Sequence, residues 1–159
     1  MEKLRAGIVG ATGMVGQRFI TLIEDHPYFE LAAVIASPSS AGKPYGEAVK
    51  GRWKMKTPLS ARVAAMEVID SNDIDTIRGK VDFVFCAVNM PKADVKALEE
   101  AYAKAEIPVV SNNSANRGMD DVPMLIPEIN YAHTAVIAAQ NEAVEKCVIE
   151  NYLKKISKG

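Results

Sequence analysis

The feature that most constrains this chain is Gly10-Ala11-Thr12-Gly13-Met14-Val15-Gly16, set directly behind the apolar run Ala6-Gly7-Ile8-Val9. A glycine where a strand ends permits a tight turn, a second lets backbone N–H groups approach a pyrophosphate, and a third allows close helix–strand packing. A helix starting there points its unpaired N–H groups and positive dipole end at that position. Three glycines can also serve a tight turn and nothing else. Here a strand, the G-x-x-G-x-x-G spacing and a following helical pattern coincide, and together they favour nucleotide binding over that plainer reading.

Behind the turn, Val15, Phe19, Leu22 and Ile23 recur at helical spacing, and Asp25-His26-Pro27 ends the helix. The alternation continues: a second strand over 31–36, a long loop over 37–59, a third strand over 63–68, and a short helix over 73–76. The clearest buried strand spans 81–87, followed by a helical stripe of Leu98, Ala101, Tyr102 and Ala105. A fifth strand is expected over 107–111 and a sixth over 135–139. Strands alternating with helices predict an α/β, Rossmann-like, doubly wound and mainly parallel sheet of about six strands with helices on both faces. A length of 159 residues suits one domain. Residues 1–140 are expected to form it, and a terminal helix over 142–156, within the segment 141–159, to pack on it.

The second strand ends Val34-Ile35-Ala36-Ser37-Pro38-Ser39-Ser40-Ala41-Gly42-Lys43. An acidic residue here would hold the 2′-OH of NAD and repel a 2′-phosphate. None is present, and the hydroxyls of Ser37, Ser39 and Ser40 with Lys43 suit a phosphate, so NADP is the expected cofactor. A solvated Ser/Pro loop without a ligand is the alternative.

Four motifs together resemble aspartate-semialdehyde dehydrogenase, in the version found in archaea and fungi. They are the segment from Gly7 through the glycine turn to Gln17-Arg18-Phe19, then Ala36 to Lys43, Ser111-Asn112-Asn113-Ser114-Ala115-Asn116-Arg117, and Asp121-Val122-Pro123-Met124-Leu125-Ile126-Pro127-Glu128-Ile129-Asn130. They keep the family's order and cover residues 4 to about 138. The resemblance implies reduction of aspartyl phosphate to aspartate semialdehyde with NADPH, on the route to lysine, threonine and methionine. It places Thr12, Gly13, Met14 and Val15 around the pyrophosphate, with Gly10 making the tight turn of the cofactor site, and Ser37 and Ser40 facing the 2′-phosphate. Ala87, Val88 and Asn89 would run beside the cofactor, with Asn112 to Ser114 on its nicotinamide side. Arg117 would receive the substrate's phosphate, since a guanidinium fork matches phosphate oxygens. A surface arginine is its plainer reading.

The family attacks its acyl phosphate with a cysteine in an Asn-Cys motif, and no such pair occurs here. Cys86 reads as a small buried hydrophobe, and Cys147 lies in the apolar stripe of the terminal helix. His26 and His133 have no partner placed by the sequence, so no catalytic residue is assigned. The family enzyme is about twice as long, its second domain carrying catalysis. The stretch after Asn141 resembles the family's last helix, as if the catalytic domain were missing between joined ends. Two cysteines supply no disulfide framework and no zinc ligand set. A net charge of -1 gives no reason to bind nucleic acid, and no apolar run is long enough for a bilayer. The first residues lack a signal-peptide pattern, and a cytoplasmic location is expected. Surface exposed by the missing domain could make a homodimer. The alternatives are a domain of N-acetyl-glutamyl-phosphate reductase or another NAD(P) reductase, and a non-enzymatic or designed Rossmann scaffold.

Overall fold

The computed structural model describes residues 2–120 and 122–137. Five strands form one parallel sheet: β1 Leu4–Val9, β2 Phe29–Ala36, β3 Val68–Asp70, β4 Phe83–Cys86 and β5 Val109–Ser111, in the order β3-β2-β1-β4-β5. Successive crossovers run outward from β1 in both directions. The strand order therefore reverses between β1 and β4, and ligands bind outside the carboxyl ends of the strands at such a point.

Both faces of the sheet are covered, as parallel sheets require. On one face Ala6, Ile8, Leu31, Val34 and Phe83 pack with Ile20 and Ile23 of α1 (Met14–Ile23), Tyr45 and Ala48 of α2 (Tyr45–Ala48), and Val63 of α3 (Ala61–Ala64). On the other, Val9, Ala33, Ile35 and Val84 pack with Ile77 of α4 (Ile74–Lys80) and with Leu98 and Tyr102 of α5 (Lys92–Lys104). A register shift between Ala6 and Gly7, opposite Leu31 and Ala33, resets the alternation in β2. Without it Leu31 and Val34 could not face the same core.

Several sequence expectations need correction. The third strand is not 63–68: residues 61–64 are helical, capped by Ser60, whose hydroxyl accepts from the Val63 N–H at 3.3 Å. Only Val68–Asp70 pairs with β2. Of the expected sixth strand over 135–139, Ala135 ends a 3-10 helix, Tyr131–Ala135, and residues 136–137 continue helically, while 138–139 lie outside the described residues. A short apolar run does not by itself distinguish strand from helix. The long loop over 37–59 contains α2, and its backbone closes the β3 edge through Gly42 N–H to Val68 O and Val68 N–H to Lys43 O, at 2.8 and 2.9 Å. On α1 the inward face is Gly16, Gln17, Ile20 and Ile23, whereas Val15 and Leu22 are 41% and 53% exposed. The close approach at Gly16 rotates the helix by about a residue from its apolar count. A last element, α6 (Pro127–Asn130), leads into the 3-10 helix. The expected terminal helix and Cys147 lie outside the described residues.

Candidate functional site

Because every strand is parallel, the segments following β1, β2, β4 and β5 all emerge at one edge of the sheet. That edge gathers the residues given a cofactor or substrate role from the sequence: Gly10 to Val15, Ser37 to Ser40, Ala87 to Asn89, and Asn112 to Arg117. At its centre Gly10 adopts φ +85°, where a side chain would be strained, and a Cβ there would meet the Ala87 carbonyl oxygen at 2.7 Å. A Cβ on Gly16 would lie 2.3 Å from the Gly10 carbonyl oxygen. These contacts bring the start of α1 against the ends of both β1 and β4.

Gly13 is the N-cap of α1 and offers no side-chain cap, and among the described residues no acceptor is found for the N–H groups of Met14, Val15 and Gly16. Met14 and Val15 are exposed. These are the donors that a helix start presents to an anion.

Two buried polar side chains fix the turn from outside. Gln17, 1% exposed, donates from Nε2 to the carbonyls of Thr12 and Arg52, both at 3.0 Å, and accepts from the Lys54 N–H at 2.8 Å. The Tyr45 hydroxyl donates to Ala11 O at 2.7 Å. Burial pushes the Tyr45 phenol up, so it stays a donor. The 45–54 segment is thereby a strap across the glycine turn.

After β2, Ser37 and Ser39 are exposed with their hydroxyl oxygens 3.0 Å apart, and Lys43 Nζ donates to Ser39 O at 2.9 Å. Ser40 is buried, its N–H donating to Ser37 O at 2.9 Å. The carboxylate closest in register is Asp70, paired with Ala36 across β2–β3, and its Oδ1 accepts from both nitrogens of Asn72.

On the far side, Glu99 of α5 is 7% exposed and forms a hub. Its carboxylate accepts from the Ser111 hydroxyl at 2.5 Å, from Asn116 Nδ2 at 2.7 Å and from Asn113 Nδ2 at 3.5 Å. Arg117 is exposed and donates from one guanidinium nitrogen to Asn112 O at 3.0 Å. Cys86, ending β4, is fully buried, and burial first and the Glu99 charge second push its thiol up to about 12. It is a small buried residue, as expected of it. His26 accepts from the Tyr28 N–H at 3.2 Å and stacks on Phe29, while His133 Nδ1 lies 2.9 Å from Met124 O. Among the described residues no group of three His, Cys, Asp or Glu could hold a metal, and no helix is long and apolar enough to cross a membrane.

The semialdehyde dehydrogenase NAD-binding domain family matches residues 5–137. The chain belongs to that family. As a semialdehyde dehydrogenase NAD-binding domain it is 41% identical over 137 residues to the aspartate-semialdehyde dehydrogenase of Methanothermobacter thermautotrophicus, covering 86% of this chain and 38% of the relative. It is also 37% identical over 134 residues to the malonyl CoA reductase (NADP) of Metallosphaera sedula, covering 84% of this chain and 35% of that one. Among solved structures, aspartate semialdehyde dehydrogenase with NADP from Candida albicans superposes with a TM-score of 0.78 at 33% identity, covering 89% of this chain and 38% of that one. The semialdehyde dehydrogenase domain thus spans less than two fifths of the length of these relatives. The resemblance and the parallel Rossmann-like fold read from the sequence both hold, with five strands among the described residues where about six were expected.

Sequence reasoning missed Gln17, Tyr45 and Glu99. Gln17 and Glu99 stand at inward-facing helical positions, beside Ile20 and between Val95 and Tyr102. A polar residue interrupting an apolar stripe was the available signal.

Proposed function

We propose that this domain binds NADP(H) at the carboxyl edge of its sheet and serves the reduction of aspartyl phosphate to aspartate semialdehyde. The observation that supports it most is the glycine turn at the β1–β4 crossing, with uncapped helix N–H groups and no acidic residue ending β2. The fit to a dinucleotide is steric as well as electrostatic. Only hydrogen at Gly10 and Gly16 leaves the backbone close enough for its N–H groups to meet a pyrophosphate.

In this reading Thr12 to Val15 hold the pyrophosphate. Ser37, Ser39, Ser40 and Lys43 receive the 2′-phosphate, Ala87 to Asn89 line the cofactor, and Asn112 to Ser114 border its nicotinamide. Arg117 takes the phosphate of the substrate. When bound, NADPH supplies the hydride; these residues orient it and carry no proton or acyl group themselves. The described residues offer no thiolate to attack an acyl phosphate, because the Cys86 thiol is buried and pushed up to about 12. Turnover is therefore not expected from the described residues alone. Exposed Leu125, Ile126, Ile129 and Tyr131 support self-association, which sedimentation would register as a dimer.

The malonyl CoA reductase relative favours a second reading, in which the carbonyl substrate is a CoA thioester and no phosphate subsite is needed. The nucleotide reading is tested by thermal unfolding with and without NADP(H). Protection by NADP(H) and not by an unrelated nucleotide supports it, and equal response to both rejects it.

A further inference from the structure

We infer that Glu99 is the positioning residue of the 111–117 loop, acting through Asn116 and Ser111 to set where Arg117 presents its guanidinium; this deepens, and rests on, the proposed phosphate role of Arg117.

The chain of contacts is continuous. Glu99 sits on the inward face of α5, with Val95, Leu98 and Tyr102 buried along the same helix. One carboxylate oxygen accepts from Ser111, where β5 ends, and the other from Asn116. The Ser111 oxygen in turn accepts from the Asn113 N–H at 3.0 Å, so its own proton is committed to Glu99. The Asn113 amide donates on to Cys86 O at 3.4 Å, and the Asn112 N–H donates to Cys86 O at 2.9 Å. Arg117 closes the loop on Asn112 O.

Both ends of the 111–116 segment are thus tied to one buried anion. A carboxylate meeting donors at both oxygens makes stronger bonds than a neutral acceptor would. A buried acid here would be costly without those donors, so the loop and Glu99 fix each other. Arg117 follows Asn116 directly, and a shift of the loop carries its guanidinium with it.

The test compares the full chain with Glu99→Ala, Asn116→Ala and the double variant. Asn116 lies on the surface loop, so its removal reads the link without opening the core. Amide hydrogen exchange of residues 112–114 is measured alongside binding of inorganic phosphate and of 2′,5′-ADP, which lacks the nicotinamide half. Each single variant is expected to speed exchange and weaken phosphate by about 10-fold while leaving 2′,5′-ADP within about 2-fold. The double variant should be no worse than Glu99→Ala, because both act through one link. Unchanged exchange in Asn116→Ala overturns the role of Glu99, as does a parallel loss of 2′,5′-ADP, which marks general damage. Phosphate binding absent from the unaltered chain overturns the Arg117 reading, and with it the phosphate half of this inference. The exchange result then still decides whether Glu99 holds the loop.

Discussion

The Cβ that Gly16 lacks would lie 2.3 Å from the carbonyl oxygen of Gly10, so helix α1 and the end of β1 touch backbone to backbone. Gly16→Ala must push the helix away or distort the turn, with no flexible side chain to yield. Loss of about 3 kcal/mol in urea unfolding is expected, at the upper end of overpacking costs. At Gly13 the nearest atom to an added Cβ is the same oxygen, at 3.3 Å. Gly13→Ala should therefore cost little stability and show its effect on nucleotide affinity.

Gln17 ties the turn to the 52–54 strap by three hydrogen bonds. Gln17→Leu keeps the volume but strands two carbonyls and the Lys54 N–H. A loss of about 2–4 kcal/mol is expected, from the desolvation cost of groups left unpaired. Weaker NADP binding should accompany it. Denaturation and thermal-shift measurements on the one variant separate the two effects.

Much of the candidate site's backbone geometry was legible in the sequence, for a physical reason. The glycine turn needs hydrogen at Gly10 and Gly16 wherever it is built, so steric necessity is written into residue identity. The serine segment after β2 was legible as the missing acid. What escaped was set by tertiary packing. Glycine counts as neutral in an apolar stripe, so the face of α1 was read through Val15 and Leu22 when Gly16 decides it. Ala61 to Ala64 became helix because Ser60 caps it, a local bond that competes with the strand reading of the valines. The place of Glu99 in an apolar stripe was a signal, but its role was not legible because its donors, Ser111 and Asn116, come from a different part of the chain.

Alkaline pH should weaken the fold through Cys86. Its thiol moves from an ordinary 9.0 to about 12, so the folded chain keeps a proton that the unfolded chain releases. That contribution is full below about pH 9 and is lost as pH rises towards 12. Burial also pushes the phenols of Tyr45 and Tyr102 up from 10.0, adding the same sign at higher pH. Urea midpoints at neutral pH and at about pH 10 should differ more for the unaltered chain than for Cys86→Ala. Equal differences would show that Cys86 is not the source.

On the proposed reading, cofactor choice rests on the residues after Ala36. Ser37→Asp places an acid where β2 ends, which on that reading is opposite the 2′-phosphate of NADP and within reach of the 2′-hydroxyl of NAD. NADP affinity should fall by about 10-fold or more while NAD affinity is maintained or rises. Fluorescence titration with the two reduced cofactors reads both numbers. A loss shared equally by both would place the 2′-phosphate elsewhere.

The most direct measurement is a calorimetric titration of the unaltered chain with NADP and with NAD side by side. Saturable binding of one NADP per chain, tighter than NAD by about 10-fold, is the expected result. No heat from NADP at millimolar concentration, or preference for NAD, would contradict the account: the first would leave a Rossmann scaffold without its ligand, and the second would remove the role given to the serine loop.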